Sequence, residues 1–503
     1  MRRLTAVRAL AAAGAVAAVV VALPALARAA ADAQGAVLCV GNHPGCYSTI
    51  QAAVDAASDG DTIRILPGTY AGGITINVSV DIVGAGASST IIEGGGPVIL
   101  IGAPFPWSPK RPTISIAGVT VTGGVNNVFP GTAVAQGGGI NITPSANPNP
   151  NQPGLTGATV TIRDSVVTGN QVYAQELIPP GFCGKESCAF ASGAGIDSSG
   201  DLTLIDTRVS DNLASSPPGV ATSIGAGGID NHPAGTLRLE HSWVTGNRVV
   251  GGHPNAREGN AGGVLTSGPL TIDHSFVTDN TVSLSVAGPM DAAFAGGILV
   301  DVGGEPPVTA SIAHTVIRGN RASATDVGFD SGAFGGGLVA FSPLSLSDSV
   351  VDDNAVSSTS SGGATAFADG GGAEIDGPAT ITDTLVTGNT VVASSPGGAA
   401  FAHGGGIANA GQLTLTRVSL AGNSVSADAA DGNAQGGGLW EGAFDPDAPP
   451  PTLDVRNSAI IHNSASGSSG VLVQGGGVFA GGLPVTFTAT TIAGNVPDQC
   501  FGC

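Results

Sequence analysis

From about residue 60 the chain alternates apolar and polar positions in short runs. Ile63 and Ile65 flank Arg64, and Ile74, Ile76, Val78, Val80 and Ile82 fall on every second residue. Period 2 predicts short half-buried strands. Only 49–57 departs from it: Ile50, Ala53, Val54 and Ala57 fall at i, i+3, i+4, i+7, one face of a short helix capped by Ser48 or Thr49.

The alternation recurs with a long period. A Gly precedes each of Ile140, Ile196, Ile229, Val264, Ile298, Leu338, Ala373, Ile407, Leu439 and Val478. An Asn follows each: Asn170, Asn212, Asn247, Asn280, Asn320, Asn354, Asn389, Asn423, Asn463 and Asn495. Such a period marks stacked coils rather than several globular domains. Residues 402–423 show one unit: a Gly pair for a crowded bend, Ile407 inward, Leu413 and Leu415 inward with Thr414 and Thr416 outward, then Leu420 and Gly422-Asn423. Stacking places the ten Asn above one another, as an interior ladder whose amides bond the next coil. Phe190, Phe294, Phe334, Phe367 and Phe401, just before the Gly residues, read as a second interior stack. At about 4.8 Å per coil the rod is on the order of 60 Å long.

The expected fold is all-β: a right-handed single-stranded parallel β-helix with a short N-terminal capping helix. The expected organisation is a signal peptide over 1–29, a disulfide loop over 30–46, cap helix and first coils over 47–130, ten repeats over 131–495, and a Cys-x-x-Cys end over 496–503. The arginine-bearing, Ala/Val-rich start with Ala27-Arg28-Ala29 is the basis for the signal peptide. Export favours disulfides, and the six cysteines form three local pairs: Cys39 with Cys46, Cys183 with Cys188, and Cys500 with Cys503.

The formal net charge is −20, and loss of the four arginines in 1–29 takes it to −24. That balance excludes nucleic acid as a partner and disfavours anionic membranes. The expectation is a secreted, extracellular monomer without stable membrane insertion.

Two columns of the stack hold candidate chemistry. Six residues before the Asn stand Asp164, Asp206, His241, His274, His314, Asp348, Asp383, Arg417, Asn457 and Ala489. His241, His274 and His314 occupy successive coils, close enough to share a divalent cation. Polar residues that cap a turn explain the same column more simply. The second column puts Asp197 beside Asp230, and the expectation is hydrated surface acids, with Ca²⁺ the cation such a pair would take. No resident cofactor is expected.

Residues 49–70, TIQAAVDAASDGDTIRILPGTY, resemble the N-terminal cap of parallel β-helix proteins of the pectin-lyase-like superfamily. The Gly-Gly-Ile and Gly-Asn repeats resemble those of polymorphic outer-membrane proteins. The resemblance implies the fold and an extracellular polysaccharide or cell-surface ligand. It carries little catalytic content, because Gly-His-Gly and Arg-x-Lys are missing and the one double acid, Asp352-Asp353, falls in a repeat turn. The function expected is therefore non-catalytic binding or adhesion; the alternative is a pectate-lyase-, pectinesterase- or polygalacturonase-like enzyme with an unrecognised site.

Overall fold

The computed structural model describes residues 35–102, 110–127, 134–145, 156–173, 189–216, 222–251, 256–286, 291–301, 308–443 and 449–503. The expected signal peptide lies outside these residues.

Among the described residues there are four parallel sheets, of 14, 18, 13 and 13 strands. Each strand pairs with its counterpart in the next coil, which is the topology of a right-handed parallel β-helix. The apolar residues that follow the glycines form one unbroken register, Ile140↔Ile196↔Ile229↔Val264↔Ile298↔Leu338↔Ala373↔Ile407↔Leu439↔Val478. They are buried in the central core with the inward residues of two other sheets, such as Leu413, Leu415 and Leu420. The helix Ile50–Ala56 closes the first coil, with Ile50, Ala53 and Val54 buried and Thr49 Oγ1 accepting from the Ala52 N–H at 3.2 Å. Thr49, not Ser48, is the cap.

In one coil, Ile407–Asn409 lies in the glycine-led sheet and Gln412–Thr416 in the next. Arg417 turns the chain at φ 56° into Ser419–Ala421, and Gly422 turns it again at φ 65° ahead of Asn423. The strand after the Asn then runs away from the core and back. In earlier coils this arm is two strands, such as Thr281–Val286 and Asp291–Phe294; later it is continuous, as in Ser424–Gln435. Its outgoing and returning stretches close on a thin second core of small residues, among them Val282, Ala293, Val391 and Ala400. The sequence pattern predicts no such arm. The phenylalanines expected as an interior stack sit on the outer face of the returning stretch instead. Phe190 and Phe367 are exposed, and rings stack along that face, Phe294 on Phe334 and Phe367 on Phe401. The gap between the two stretches is filled mainly by Ala and Val, with Ile224 and Leu284.

Two of the three expected disulfides are present. Cys39 pairs with Cys46, pinning the loop between the first strand and the helix, and Cys500 pairs with Cys503. The third expected pair, Cys183 with Cys188, is not borne out or overturned: Cys183 and Cys188 both lie outside the described residues, in the interval between Tyr173 and Ala189.

Candidate functional site: a ringed corner and a buried acid–histidine cluster

The ten Asn side chains form a continuous buried ladder. Each Nδ2 donates to the next Asn Oδ1 at 2.9 or 3.0 Å, from Asn170 through Asn495. Each Nδ2 also donates to a backbone carbonyl of the preceding coil, as Asn320 does to Val277 O at 2.9 Å. Every Oδ1 in mid-ladder accepts from both the side chain and the backbone N–H of the Asn before it, as Asn354 does from Asn320. These amides are saturated, so the column is a frame for the site and not the site.

The corner column six residues before the Asn has one backbone conformation throughout. All ten residues, from Asp164 to Ala489, have φ between 47° and 56°. Asp, Asn and His tolerate that left-handed turn better than most side chains, which accounts for their repetition here. The turn also aims the side chains outward. His241 and His274 stack with ring centroids 5.2 Å apart, and His274 and His314 at 4.4 Å. Both His274 Nδ1 (3.0 Å) and His314 Nδ1 (2.9 Å) reach Asp273 Oδ1. The His314 hydrogen bond, helped by His274 and opposed by burial, holds the Asp273 carboxyl below its usual range. His274, His314 and Asp273 offer three mutually close ligand atoms; His241 is stacked beside them and outside that group.

Two residues beyond this corner lies an aromatic pair that the sequence reading missed. Trp243 and Phe276 occupy the same register in adjacent coils. Their rings are stacked 5.9 Å apart and 1° from parallel, each more than a third exposed. Trp243 also walls a shallow depression of ≈ 460 Å³ lined by Asp164, Ser165, Val166, Asp206 and Arg208. The signal available was columnar: Trp243 and Phe276 each stand two residues after a histidine of the corner.

Asp197 and Asp230 are adjacent in the glycine-led sheet, but not as hydrated surface acids. They are 2% and 5% exposed, because the returning arm covers the outer face of that sheet. His232, unremarked in the sequence, follows Asp230 by two residues and points to the same face. Its Nε2 lies 3.2 and 3.1 Å from the two Asp197 carboxylate oxygens and 3.1 Å from the Gln136 side-chain amide. Ser192 donates to Asp230 Oδ2 and accepts from the Ala226 N–H at 3.0 Å. Burial lifts the Asp230 carboxyl to about 6, with His232 pulling it down and Asp197 pushing it further up. For His232, burial alone would lower the pKa, but Asp197 and Asp230 outweigh it and raise the imidazolium to about 10.

A second acid–histidine group lies further along the same face. His403 Nδ1 meets Asp369 Oδ1 at 2.6 Å, its Nε2 meets Asn433 Oδ1 at 2.7 Å, and its ring stacks on buried Trp440 at 4.6 Å. Glu374 beside it is buried, and desolvation, with Asp376 and Asp369 nearby, drives its carboxyl well above the usual range. The double acid Asp352-Asp353 is structural: Asp352 pairs with Arg318 at 2.8 Å and Asp353 makes a left-handed turn at φ 53°.

No family profile matches the chain, and no curated protein does. Among solved structures it is similar to the A-module of the Azotobacter vinelandii mannuronan C-5 epimerase AlgE6, at 13% identity and a TM-score of 0.37 over 88% of this chain and 93% of that one. It is also similar to the catalytic domain of a GH87 α-1,3-glucanase in complex with nigerose, at 11% identity and 0.24 over 92% and 70%. A third is the receptor-binding domain of the siphovirus 9NA tailspike, at 11% identity and 0.22 over 90% and 76%. Nothing about the chemistry of this chain follows from scores of that size.

Proposed function

We propose that this protein is a secreted β-helix that binds an extracellular glycan at the Trp243 corner without cleaving it. The carrying observation is the exposed indole of Trp243 beside Asp164, Asp206 and Arg208 around an open depression. An exposed Trp supplies a large rigid face at small entropic cost, and carboxylates accept hydrogen bonds from paired hydroxyls. Two acids against one arginine, on a chain of net charge −20, favour a neutral glycan over a polyanionic one.

The hydrolase or lyase alternative has less support. The close acid pair, Asp197 and Asp230, is buried rather than open to a polymer. Membership of the pectin-lyase-like superfamily, which the cap segment 49–70 favours, belongs to the same proposal.

The test is affinity electrophoresis of the purified chain against a panel of soluble neutral and acidic polysaccharides, with assays for new reducing ends and unsaturated products. Retardation by a neutral glycan, lost in Trp243→Ala and kept in Trp440→Phe, supports the reading. Product formation, or retardation that survives Trp243→Ala, overturns it.

A further inference from the structure

We infer that Asp197, Asp230, His232 and Gln136 form a site for one divalent transition-metal ion of the Zn²⁺ class, stapling three successive coils. This site is separate from the Trp243 corner and does not depend on the glycan reading.

Hydrogen counting around His232 is the first support. An imidazole Nε2 carries at most one hydrogen. Here it faces two Asp197 oxygens at 3.2 and 3.1 Å and the Gln136 amide at 3.1 Å. A single proton serves one of those partners well, whereas a cation at the centre serves all of them. The Gln136 amide can present its oxygen to that centre, since the two ends of an amide are interchangeable by a flip.

Geometry agrees. The ligand atoms of Asp197, Asp230 and His232 all lie within 4.8 Å of one another. Four ligands about 2.0–2.1 Å from a tetrahedral Zn²⁺ stand about 3.3 Å from each other. The Asp197 and Gln136 contacts around His232 Nε2 are already close to that spacing, and the Asp230 carboxylate has to close from within 4.8 Å. Charge agrees as well. Two buried carboxylates balance one divalent ion, leaving a neutral site under the arm where an unpaired charge would be costly. An imidazole with carboxylate and amide oxygens suits Zn²⁺ better than Ca²⁺, which takes more oxygens and rarely imidazole. The Asp230 ligand is also oriented from behind by Ser192, whose own oxygen is fixed by the Ala226 N–H.

The place in the chain gives the site a purpose. Gln136, Asp197 and Asp230 belong to three consecutive coils, joined through the registers Gln136↔Ser192 and Asp197↔Asp230. The step from Asn170 to Asn212 is 42 residues, the longest in the ladder, so these coils carry the largest insertion. An ion binding all three would offset the entropy of that long connection.

The test uses the untagged full chain, stripped with EDTA and titrated with ZnCl₂ by calorimetry, with elemental analysis of the dialysed product. The expected result is one Zn²⁺ per chain, weakened at least tenfold in His232→Gln and in Asp230→Asn, and unchanged in the His274→Gln/His314→Gln double variant. Co²⁺ added to the wild-type chain should give the intense visible bands of a four-coordinate N/O site, a readout that does not rely on any variant folding. Absence of saturable Zn²⁺ binding overturns the inference. So does binding that survives His232→Gln but is lost in the double variant, or Ca²⁺ bound equally by wild type and His232→Gln.

Discussion

Asn423 donates its side-chain N–H to Asn463 Oδ1 at 3.0 Å across 40 residues of chain, and its backbone N–H to the same oxygen at 2.9 Å. One oxygen therefore closes two bonds between coils, and removing one side chain leaves buried N–H groups unpaired. Asn320→Ala would strand the backbone N–H and one side-chain N–H of Asn280, while Asn354 Oδ1 keeps the backbone N–H of residue 320. At about 1–3 kcal/mol for each unpaired group, the expected loss is at least about 2 kcal/mol. Urea unfolding followed by circular dichroism measures it; a loss under about 1 kcal/mol would mean water replaces the missing amide.

The glycines of the repeat separate into two kinds, and alanine substitution should distinguish them. A Cβ on Gly406 would stand 2.5 Å from Gly438 O and 3.0 Å from Asn423 Nδ2. A Cβ on Gly422 meets nothing within 4 Å, and that residue is constrained only by its φ of 65°. Gly422→Ala should cost about 1–2 kcal/mol, the left-handed penalty. Gly406→Ala should cost more, because backbone of the next coil has to move. Equal thermal shifts in the two variants would contradict the distinction.

Stability should fall as pH rises from about 5 to 8. Burial lifts the Glu441 carboxyl to about 7, with the Asn409 hydrogen bond opposing, and lifts Asp376 to about 6. The folded chain thus holds protons that the unfolded chain releases near pH ~4, so the slope of stability with pH is negative across this window. Glu441→Gln keeps a neutral side chain beside Asn409 and should flatten the curve. Midpoints of chemical unfolding at three pH values across the window would check it, and an unchanged slope in the variant would remove Glu441 as the source.

Ala489 holds φ 50° at a corner where most other coils place Asp, His or Asn. Ala489→Asn should raise stability by up to about 1 kcal/mol, since Asn enters the left-handed region at lower cost. Differential scanning calorimetry would show the last coil melting later; a lower melting temperature would argue against strain at this corner.

Much of the fold was legible because the repeat is strict where chemistry is strict. A coil tolerates no substitute at Gly406, and the Asn column is a single hydrogen-bonded line. The arm was not legible, because its stretches are rich in Ala and Ser and in most coils are interrupted by insertions of variable length. That omission propagated. Without the arm, Asp197 and Asp230 read as surface acids and the phenylalanines as interior. His232 was available as an alternate-residue neighbour of Asp230, and Trp243 with Phe276 as a column, but neither recurs in enough coils to register as a pattern.

The ladder also has a polarity. Along it every amide points an N–H toward the C-terminal coil and its oxygen back, and the ends are finished differently. Gly124 N–H meets the oxygen of Asn170, while Gln499 bends back to receive the N–H groups of Asn495. The rod therefore carries a column of aligned amide dipoles, and cutting it exposes acceptors on one fragment and donors on the other. Any chimera that exchanges coils with another β-helix must join them in this sense, because a reversed segment would set oxygen against oxygen at one junction and hydrogen against hydrogen at the other.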